Sequence, residues 1–230
     1  MTDKFTRRLR EEVIFVNTNG CLDYQDPSTQ INCLRRLEKT KKVHDYLTSL
    51  GLRSYRLNPI DGDIPLVPFF PSHPQDDKNF YNNSAFLIYD LLPLLDNFVD
   101  GWTHMILYQY DGFPLNFDHW TDDFLDYDYM GPSNGGIGTV MCGGFGIRKH
   151  YWMSKVSREV SKKEYVEFAR KHGHGNDDVL FHELGYVKDY PPLELRDKFA
   201  TEEVSLDHFG FHTNQGFDFD YATSLWKHTK

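Results

Sequence analysis

Apolar residues fall into short runs that alternate with amphipathic segments along the chain. Residues 13–17, VIFVN, form a β-branched and aromatic run after a charged lead, which predicts a buried strand. Residues 30–50 place apolar side chains at near-helical spacing and are followed by Gly51, a typical helix stop. Residues 53–60, RSYRLNPI, predict a second strand. This strand–helix–strand order predicts an α/β fold with a parallel sheet and a right-handed crossover.

The rest of the chain continues this alternation. Residues 58–79 are rich in Pro, Asp and Gly and predict a loop, and residues 80–98 predict a helix with a break or kink at Pro93. Residues 103–112, THMILYQYDG, are the strongest candidate for a central strand. The further predicted elements are a strand broken by paired glycines over 140–149 and helices that begin near residues 150, 161 and 176.

Length and composition indicate a single globular domain. The chain has 230 residues, of which 40% are hydrophobic and 16% aromatic, so a packed core is expected. We assign one domain to residues 1–230, with an N-terminal lead at 1–12 and a C-terminal tail at 214–230. A net charge of −9 argues against a general polyanion binder, because affinity for phosphate backbones comes mainly from Lys and Arg.

The three cysteines, Cys21, Cys33 and Cys142, have no paired spacing, which indicates a reducing compartment without a disulfide framework. The N-terminus lacks the apolar core of a signal peptide, and no apolar run approaches the roughly 18 residues of a membrane span. We therefore expect a cytoplasmic protein without a transmembrane segment.

The candidate central strand ends on Asp111 and Gly112. Ligands of open α/β sheets bind beyond the carboxyl ends of the strands. A carboxylate there can hold Mg²⁺ or Mn²⁺, which neutralises substrate phosphates, and Gly112 would let the backbone approach a ligand closely. The alternative is a turn that Asp111 caps and in which Gly112 supplies a positive φ.

Two further segments allow a structural and a functional interpretation. Gly143 and Gly144 interrupt an apolar run, either because a ligand approaches their backbone or because the strand contains a β-bulge. Asp177 and Asp178 follow Asn176 at the start of an apolar helix. They either interact with the helix dipole beside an Asn cap, or one of them acts as a general base toward an acceptor hydroxyl.

Histidines are the remaining candidates for metal binding. His212 lies between aromatic residues in the tail, where it is either structural or a supplementary Mn²⁺ ligand beside a carboxylate. The two histidines of the HGHG segment at 172–175 resemble a pair of metal ligands, but we interpret the segment as a helix end with solvated histidines.

Taken in order, these segments resemble a family of small glycosyltransferase-like proteins of the GT-A fold. The matching segments are LYQYDGFPLN, DDFLDYDYMGP, CGGFGIRK, NDDV, KFATEE and FGFH. The resemblance covers residues 80–213. It implies a single GT-A-like (Rossmann-like) α/β domain with a mostly parallel central sheet flanked by helices.

The resemblance assigns a metal site and a donor site. Asp111 resembles the last acid of an Asp-x-Asp element that holds the metal of a nucleotide sugar, and Gln109 takes the place of its first acid. His212 resembles the late His that completes this metal site. The donor-binding residues that the resemblance and fold analogy imply are Asn17, Thr18, Asn19, Gln109, Asp111, Gly112, Gly143 and Gly144.

The resemblance also assigns the acceptor side. Asp177 and Asp178 fall on a Glu-Asp pair whose second acid resembles the catalytic base of inverting enzymes. Cys142 replaces the family's Asn and Gly146 replaces its Ser, so the acceptor side departs from the family pattern.

The function implied is a metal-dependent, inverting hexosyltransferase that uses Mn²⁺ or Mg²⁺ and a nucleoside diphosphate sugar, with UDP-sugar as the expected donor. The resemblance does not specify the acceptor, and glycans, lipid-linked sugars, proteins and hydroxylated bases in DNA are the alternatives. The acidic composition disfavours a DNA acceptor unless a basic face forms near Arg7, Arg8, Arg10, Arg35 and Arg36, which are otherwise a solvated surface. The alternatives are a non-catalytic module that binds sugar nucleotides or glycans, and a metal-dependent phosphohydrolase or nuclease that uses Asp111 with Asp177 and Asp178.

Overall fold

The computed structural model of the protein describes residues 5–17, 30–58, 63–65, 87–132, 141, 143–172, 182, 184–213 and 216–228. The strands in this part of the chain are β1 (Val13–Asn17), β2 (Ser54–Asn58), β3 (Ile64–Pro65), β4 (His104–Tyr108), β5 (Gly112–Pro114), β6 (Tyr129–Met130), β7 (Gly146–Lys149), β8 (Ala200–Thr201) and β9 (Gly210–His212). The α-helices are α1 (Arg7–Glu11), α2 (Gln30–Ser49), α3 (Leu92–Phe98), α4 (His150–Glu159), α5 (Lys162–His172), α6 (Leu193–Phe199) and α7 (Phe219–Ser224).

Most of the elements predicted from the sequence are confirmed where they are described. The first strand, the long helix after it and the second strand are β1, α2 and β2, and the central strand candidate is β4. The predicted break at Pro93 is a change of helix type, from a π-helical turn at Leu87–Leu91 to α3. The strand predicted over 140–149 begins only at Gly146, after the paired glycines.

The central sheet has six strands in the order β3-β2-β1-β4-β7-β6. The pairings β3–β2, β2–β1 and β1–β4 are parallel, whereas β4–β7 and β7–β6 are antiparallel. The expected α/β class is confirmed. The central sheet, which was expected to be mostly parallel, is mixed. Because β7 is reversed, its first residue, Gly146, lies beside Leu107 at the carboxyl end of β4. The glycine segment that precedes β7 thus reaches the same edge of the sheet as Asp111.

The two central strands form the middle of the core. Every residue of β1 and β4 is buried, as a strand covered on both faces requires. Helix α2 contributes Leu37, Val43 and Leu47 to the buried apolar residues. The continuous apolar runs in the sequence are explained by this two-sided burial.

A second sheet of three strands, in the order β5-β9-β8, was not predicted. Strand β5 pairs with β9 in antiparallel register, so that Gly112 is opposite His212 and Phe113 is opposite Phe211. The rings of Phe113 and Phe211 meet edge to face, with their centroids 4.8 Å apart. This sheet brings the C-terminal part of the chain back to the end of β4.

None of the helices in the described part of the chain is both long and apolar enough to cross a membrane. The helix predicted to begin at residue 176 lies mostly outside the described residues, as do most of residues 58–79.

Candidate functional site

The carboxyl ends of β1 and β4 are held together by a side chain. Asn17, the last residue of β1, is paired in register with Tyr108, the last residue of β4. The Asn17 side chain is 1% exposed, and its Nδ2 donates to the carbonyl oxygen of Tyr108 at 2.9 Å. This bond fixes the sheet edge at which the chain turns away from β4.

A tight turn follows β4 and places Asp111 at its tip. The amide of Gln109 donates to the carbonyl of Gly112 at 2.7 Å, and the amide of Gly112 donates back to Gln109 at 3.3 Å. Tyr110 and Asp111 lie between them. The predicted turn is confirmed, but the positive φ expected for Gly112 is wrong, since Gly112 has ordinary strand geometry in β5.

Asp111 faces His212 across the second sheet. Its Oδ1 lies 3.9 Å from Nε2 of His212. Its backbone carbonyl accepts a hydrogen bond from the amide of Thr213 at 3.0 Å, which continues the register between β5 and β9. Asp111 Oδ1 is buried and forms no hydrogen bond with any residue that the structure describes. A buried carboxylate oxygen without a donor is costly, so this oxygen is suited to an added cation.

Two glycines make room for the His212 ring. A Cβ at Gly144 would lie 2.0 Å from Nε2 of His212, and a Cβ at Gly112 would lie 2.6 Å from its Cδ2. Real Cβ atoms do not approach other atoms this closely, so the ring packs directly on glycine backbone at both positions. The lack of a side chain at Gly112 and Gly144 is therefore explained by the His212 ring of the protein itself.

The glycine segment is fixed from inside the protein by Arg148. This side chain is 1% exposed, and its Nη2 and Nη1 donate to the carbonyls of Gly143 and Gly146 at 2.9 and 3.3 Å. Its guanidinium carbon lies 5.1 Å from the centre of the Tyr129 ring. The hydrogen bonds set the course of the backbone that packs on His212. Arg148 was not among the predicted site residues, although an arginine within an apolar strand was a signal in the sequence.

The electrostatic environment keeps His212 neutral near pH 7. Burial lowers the pKa of His212, and the charges of Asp111 and Glu202 oppose this shift only in part. A neutral imidazole retains a nitrogen lone pair, which is the form that binds metal ions.

Asp111 and His212 fit a shared divalent cation. Two atoms 3.9 Å apart can both contact an ion whose bonds are roughly 2.1 Å long. Among the described residues, no group of three or more His, Cys, Asp or Glu side chains could hold a metal ion. The pair would therefore supply two ligands, and water and substrate oxygens would complete the shell, as is usual for Mg²⁺.

Several predicted site residues lie outside the described part of the chain. These are Thr18 and Asn19 of the donor site, the acids Asp177 and Asp178, and Cys142 of the glycine segment. Of the other predicted residues, the structure brings together Asp111, Gly112, Gly144 and His212, with Gln109 and Gly143 next to them in the chain.

Basic residues of α2 also reach this edge, and sequence reasoning did not assign them to the site. The guanidinium carbon of Arg36 lies 4.7 Å from the centre of the Tyr110 ring, and Nζ of Lys39 lies 5.9 Å from the same ring. Their spacing of three residues on a helix was the available signal.

Comparison with known families places more than half of the chain in a family. The sequence pattern of the family described as a protein of unknown function (DUF5672) matches residues 78–216, more than half of the chain. The chain belongs to this family. The DUF5672 segment includes Asp111, Gly144 and His212, whereas β1 and α2 precede it. No curated protein matches the chain.

Proposed function

We propose that the protein is a metal-dependent glycosyltransferase of the GT-A type that transfers a sugar, with inversion, from a nucleoside diphosphate sugar to an acceptor hydroxyl. A UDP-sugar is the expected donor. The observation that carries this proposal is the buried Asp111 Oδ1, which has no hydrogen bond from a described residue and lies 3.9 Å from His212 at the carboxyl edge of the sheet.

The order of the strands supports the proposal. The parallel strands β3, β2, β1 and β4 end at the edge where Asp111 lies, and the reversed β7 begins there. Ligands of open α/β sheets bind at this edge. The resemblance to GT-A glycosyltransferases likewise implies a metal-binding acid beside a glycine segment.

Asp111 and His212 would hold the metal. When bound there, Mn²⁺ or Mg²⁺ supplies positive charge to the diphosphate leaving group. Gln109, in the place of a first acid, adds no negative charge near those phosphates. Gly112 and Gly144 keep the His212 ring in its position, because any side chain on either residue would displace it.

The transfer itself is assigned to Asp178 by the resemblance described above. Its carboxylate takes the proton of the acceptor hydroxyl as that oxygen forms a bond to the anomeric carbon. The bond between the anomeric carbon and the diphosphate oxygen breaks, and its electron pair leaves with the nucleoside diphosphate. A single displacement of this kind inverts the configuration of the anomeric carbon.

The decisive experiment is calorimetric titration of UDP into the protein with Mn²⁺ and with EDTA. We expect Mn²⁺-dependent binding that Asp111→Asn abolishes. Asp100→Asn is the matched control, because Asp100 is exposed and lies before β4, at the opposite end of that strand. Absence of binding by UDP, GDP, CMP and dTDP would overturn the proposal, as would wild-type affinity in Asp111→Asn.

A second candidate is a non-catalytic module that binds sugar nucleotides or glycans. It is favoured by the neutral Gln109 and by the presence of only two candidate metal ligands, Asp111 and His212, at the described part of the site. Incubation of the protein with UDP-sugars and Mn²⁺ separates the two functions. Release of UDP that depends on an acceptor indicates a transferase, and binding without release or transfer indicates the module.

A further inference from the structure

The segment KFATEE, at residues 198–203, has no part in the proposed function, although its strand lies next to the candidate metal pair. Strand β8 pairs in parallel with β9, so that Thr201 is opposite Phe211. The residues that follow them are Glu202 and His212. Because β9 is the middle strand of the small sheet, β5 and β8 lie on opposite sides of it. The imidazole therefore has the end of β8 on the side away from β5.

Aromatic packing fixes β8 beside the glycine segment. The buried Phe199 ring, just before β8, stacks on the Phe145 ring, with the ring centroids 5.1 Å apart and the planes at 9°. Phe145 directly follows Gly144, whose backbone packs on the His212 ring. One aromatic pair thus joins the two segments that approach the imidazole, and it holds the end of β8 at the site.

The chain turns sharply at Glu202. The hydroxyl of Thr201 donates to the carbonyl of Glu203 and accepts from the amide of Glu203, both at 3.3 Å. A hydroxyl that bonds the backbone two residues later closes a tight turn. Glu202 lies at the tip of this turn and is exposed. Within the described ranges, its carboxylate accepts no hydrogen bond and forms no ion pair.

The charge of Glu202 reaches the imidazole of His212. Burial lowers the pKa of His212, and the carboxylates of Asp111 and Glu202 both oppose this shift, Asp111 more strongly. The interaction between charges weakens with distance, so Glu202 lies close to the same ring that Asp111 faces. The register of β8 with β9 leads to the same conclusion from the backbone alone.

Glu202 stands one layer outside the metal pair. Asp111, His212 and Glu202 do not form a group of three that could hold a metal ion directly. A divalent cation held by two protein ligands keeps water in its remaining positions. Carboxylates outside the direct ligands accept hydrogen bonds from such groups, and they strengthen metal binding by fixing their orientation.

We propose that Glu202 is a positioning residue of the metal site, whose carboxylate accepts a hydrogen bond from water that completes the shell of the cation on Asp111 and His212. This inference rests on the metal site of the proposed function. The neutral Gln109 leaves Asp111 as the one anionic group among the direct ligands assigned to the cation. Glu202 adds a second negative charge beside the cation, from a different strand.

The test is calorimetric titration of Mn²⁺ into the protein without a nucleotide. Glu202→Gln removes the charge and retains the shape, and we expect it to weaken Mn²⁺ binding by roughly 10–100-fold. Glu203→Gln is the matched control, because Glu203 is exposed in the same turn, and it should bind Mn²⁺ as wild type does. Glu202→Asp retains the charge and should bind Mn²⁺ more tightly than Glu202→Gln.

Titration of UDP gives a second readout, in which the sign of the effect depends on the metal. With Mn²⁺, Glu202→Gln should bind UDP more weakly than wild type, because it holds the cation less tightly. With EDTA, it should bind UDP as wild type does or more tightly, since a negative charge near the phosphates is gone. A side chain that only supports the fold would weaken both.

The outcomes separate this role from the proposed function. Wild-type affinity of Glu202→Gln for Mn²⁺, with Mn²⁺-dependent binding of UDP preserved, would overturn the role of Glu202 and leave the proposed function standing. An equal loss in Glu203→Gln would also overturn it, because the effect would then be one of general surface charge. Mn²⁺ binding that Glu202→Gln weakens, in a protein that binds no nucleotide, would support the role of Glu202 and overturn the proposed transferase.

Discussion

Nε2 of His212 lies directly against the backbone of Gly144, so that a Cβ on residue 144 would approach it to 2.0 Å. His212 is 5% exposed and is paired in register with Gly112 on its other side. The ring cannot move away from an added methyl group without leaving Asp111. The position of this imidazole therefore depends on two residues that have no side chain.

Replacement of Gly144 by alanine tests this dependence. We expect Gly144→Ala to displace the His212 ring, to weaken Mn²⁺-dependent binding of UDP by at least roughly tenfold and to lower the free energy of unfolding by about 1–3 kcal/mol. Gly216→Ala is the control, because a Cβ at Gly216 would meet no atom within 4 Å. Titration and urea unfolding measure the two effects. The same affinity for UDP and the same free energy of unfolding in Gly144→Ala and Gly216→Ala would contradict the packing of the His212 ring on Gly144.

Arg148 is expected to be required for the shape of the glycine segment. Arg148→Met retains much of the volume but leaves the carbonyls of Gly143 and Gly146 without their donor. Loss of these charge-assisted bonds in a buried site should lower the free energy of unfolding by roughly 2–4 kcal/mol. Arg158→Met, on the exposed part of α4, should change it by less than about 0.5 kcal/mol. A small effect of Arg148→Met in urea unfolding would show that the segment holds its shape without this side chain.

The buried imidazole of His104 is expected to make the folded protein less stable in acid. Its Nε2 lies 3.0 Å from the carbonyl oxygen of Leu125, which can only accept, so Nε2 carries the proton and Nδ1 accepts from the Thr103 hydroxyl. Burial lowers the pKa of His104 to about 4. In the unfolded chain the ring has an ordinary pKa near 6.5, so it binds a proton there first as the pH falls. The contribution of His104 to the free energy of unfolding is therefore fully present above about pH 6.5 and is lost progressively as the pH falls toward 4.

The size of this effect can be measured with His104→Gln. Between pH 7 and pH 5, His104 should account for about 2 kcal/mol of the decrease in the free energy of unfolding of the wild type. Burial also lowers the pKa of His44, His182 and His212, so a decrease is expected to remain in the variant. Urea unfolding at both pH values gives the comparison. The same decrease in both proteins would refute a neutral buried imidazole at position 104.

The two adjacent acids that the resemblance places at the catalytic base should differ in their effects. Asp178→Asn should reduce sugar transfer by roughly 10²–10⁴-fold, because it removes the base, and should leave Mn²⁺-dependent binding of UDP intact. Asp177→Asn is the neighbouring control and should reduce transfer less. Product formation from a UDP-sugar and an acceptor measures the difference. A larger loss in Asp177→Asn would assign the base to the other acid.

The sequence alone determined the elements around the site. The apolar run VIFVN, the helical spacing over residues 30–50 and the run that ends at Asp111 identified β1, α2 and β4, because burial on both faces and helical periodicity leave a local pattern. The position of Asp111 after the central strand was also visible. The resemblance to a known family connected His212 and the paired glycines with the same site, without giving their contacts.

The tertiary structure alone decided how these elements meet. The direction of β7 and the pairing of Gly112 with His212 join segments far apart in the chain, and an apolar pattern does not specify the partner or the direction of a strand. The need for glycine at position 144 comes from the ring of His212, and the proximity of Arg36 to Tyr110 comes from the packing of α2. A local sequence records whether a side chain is buried, but the atoms that bury it are set by the fold.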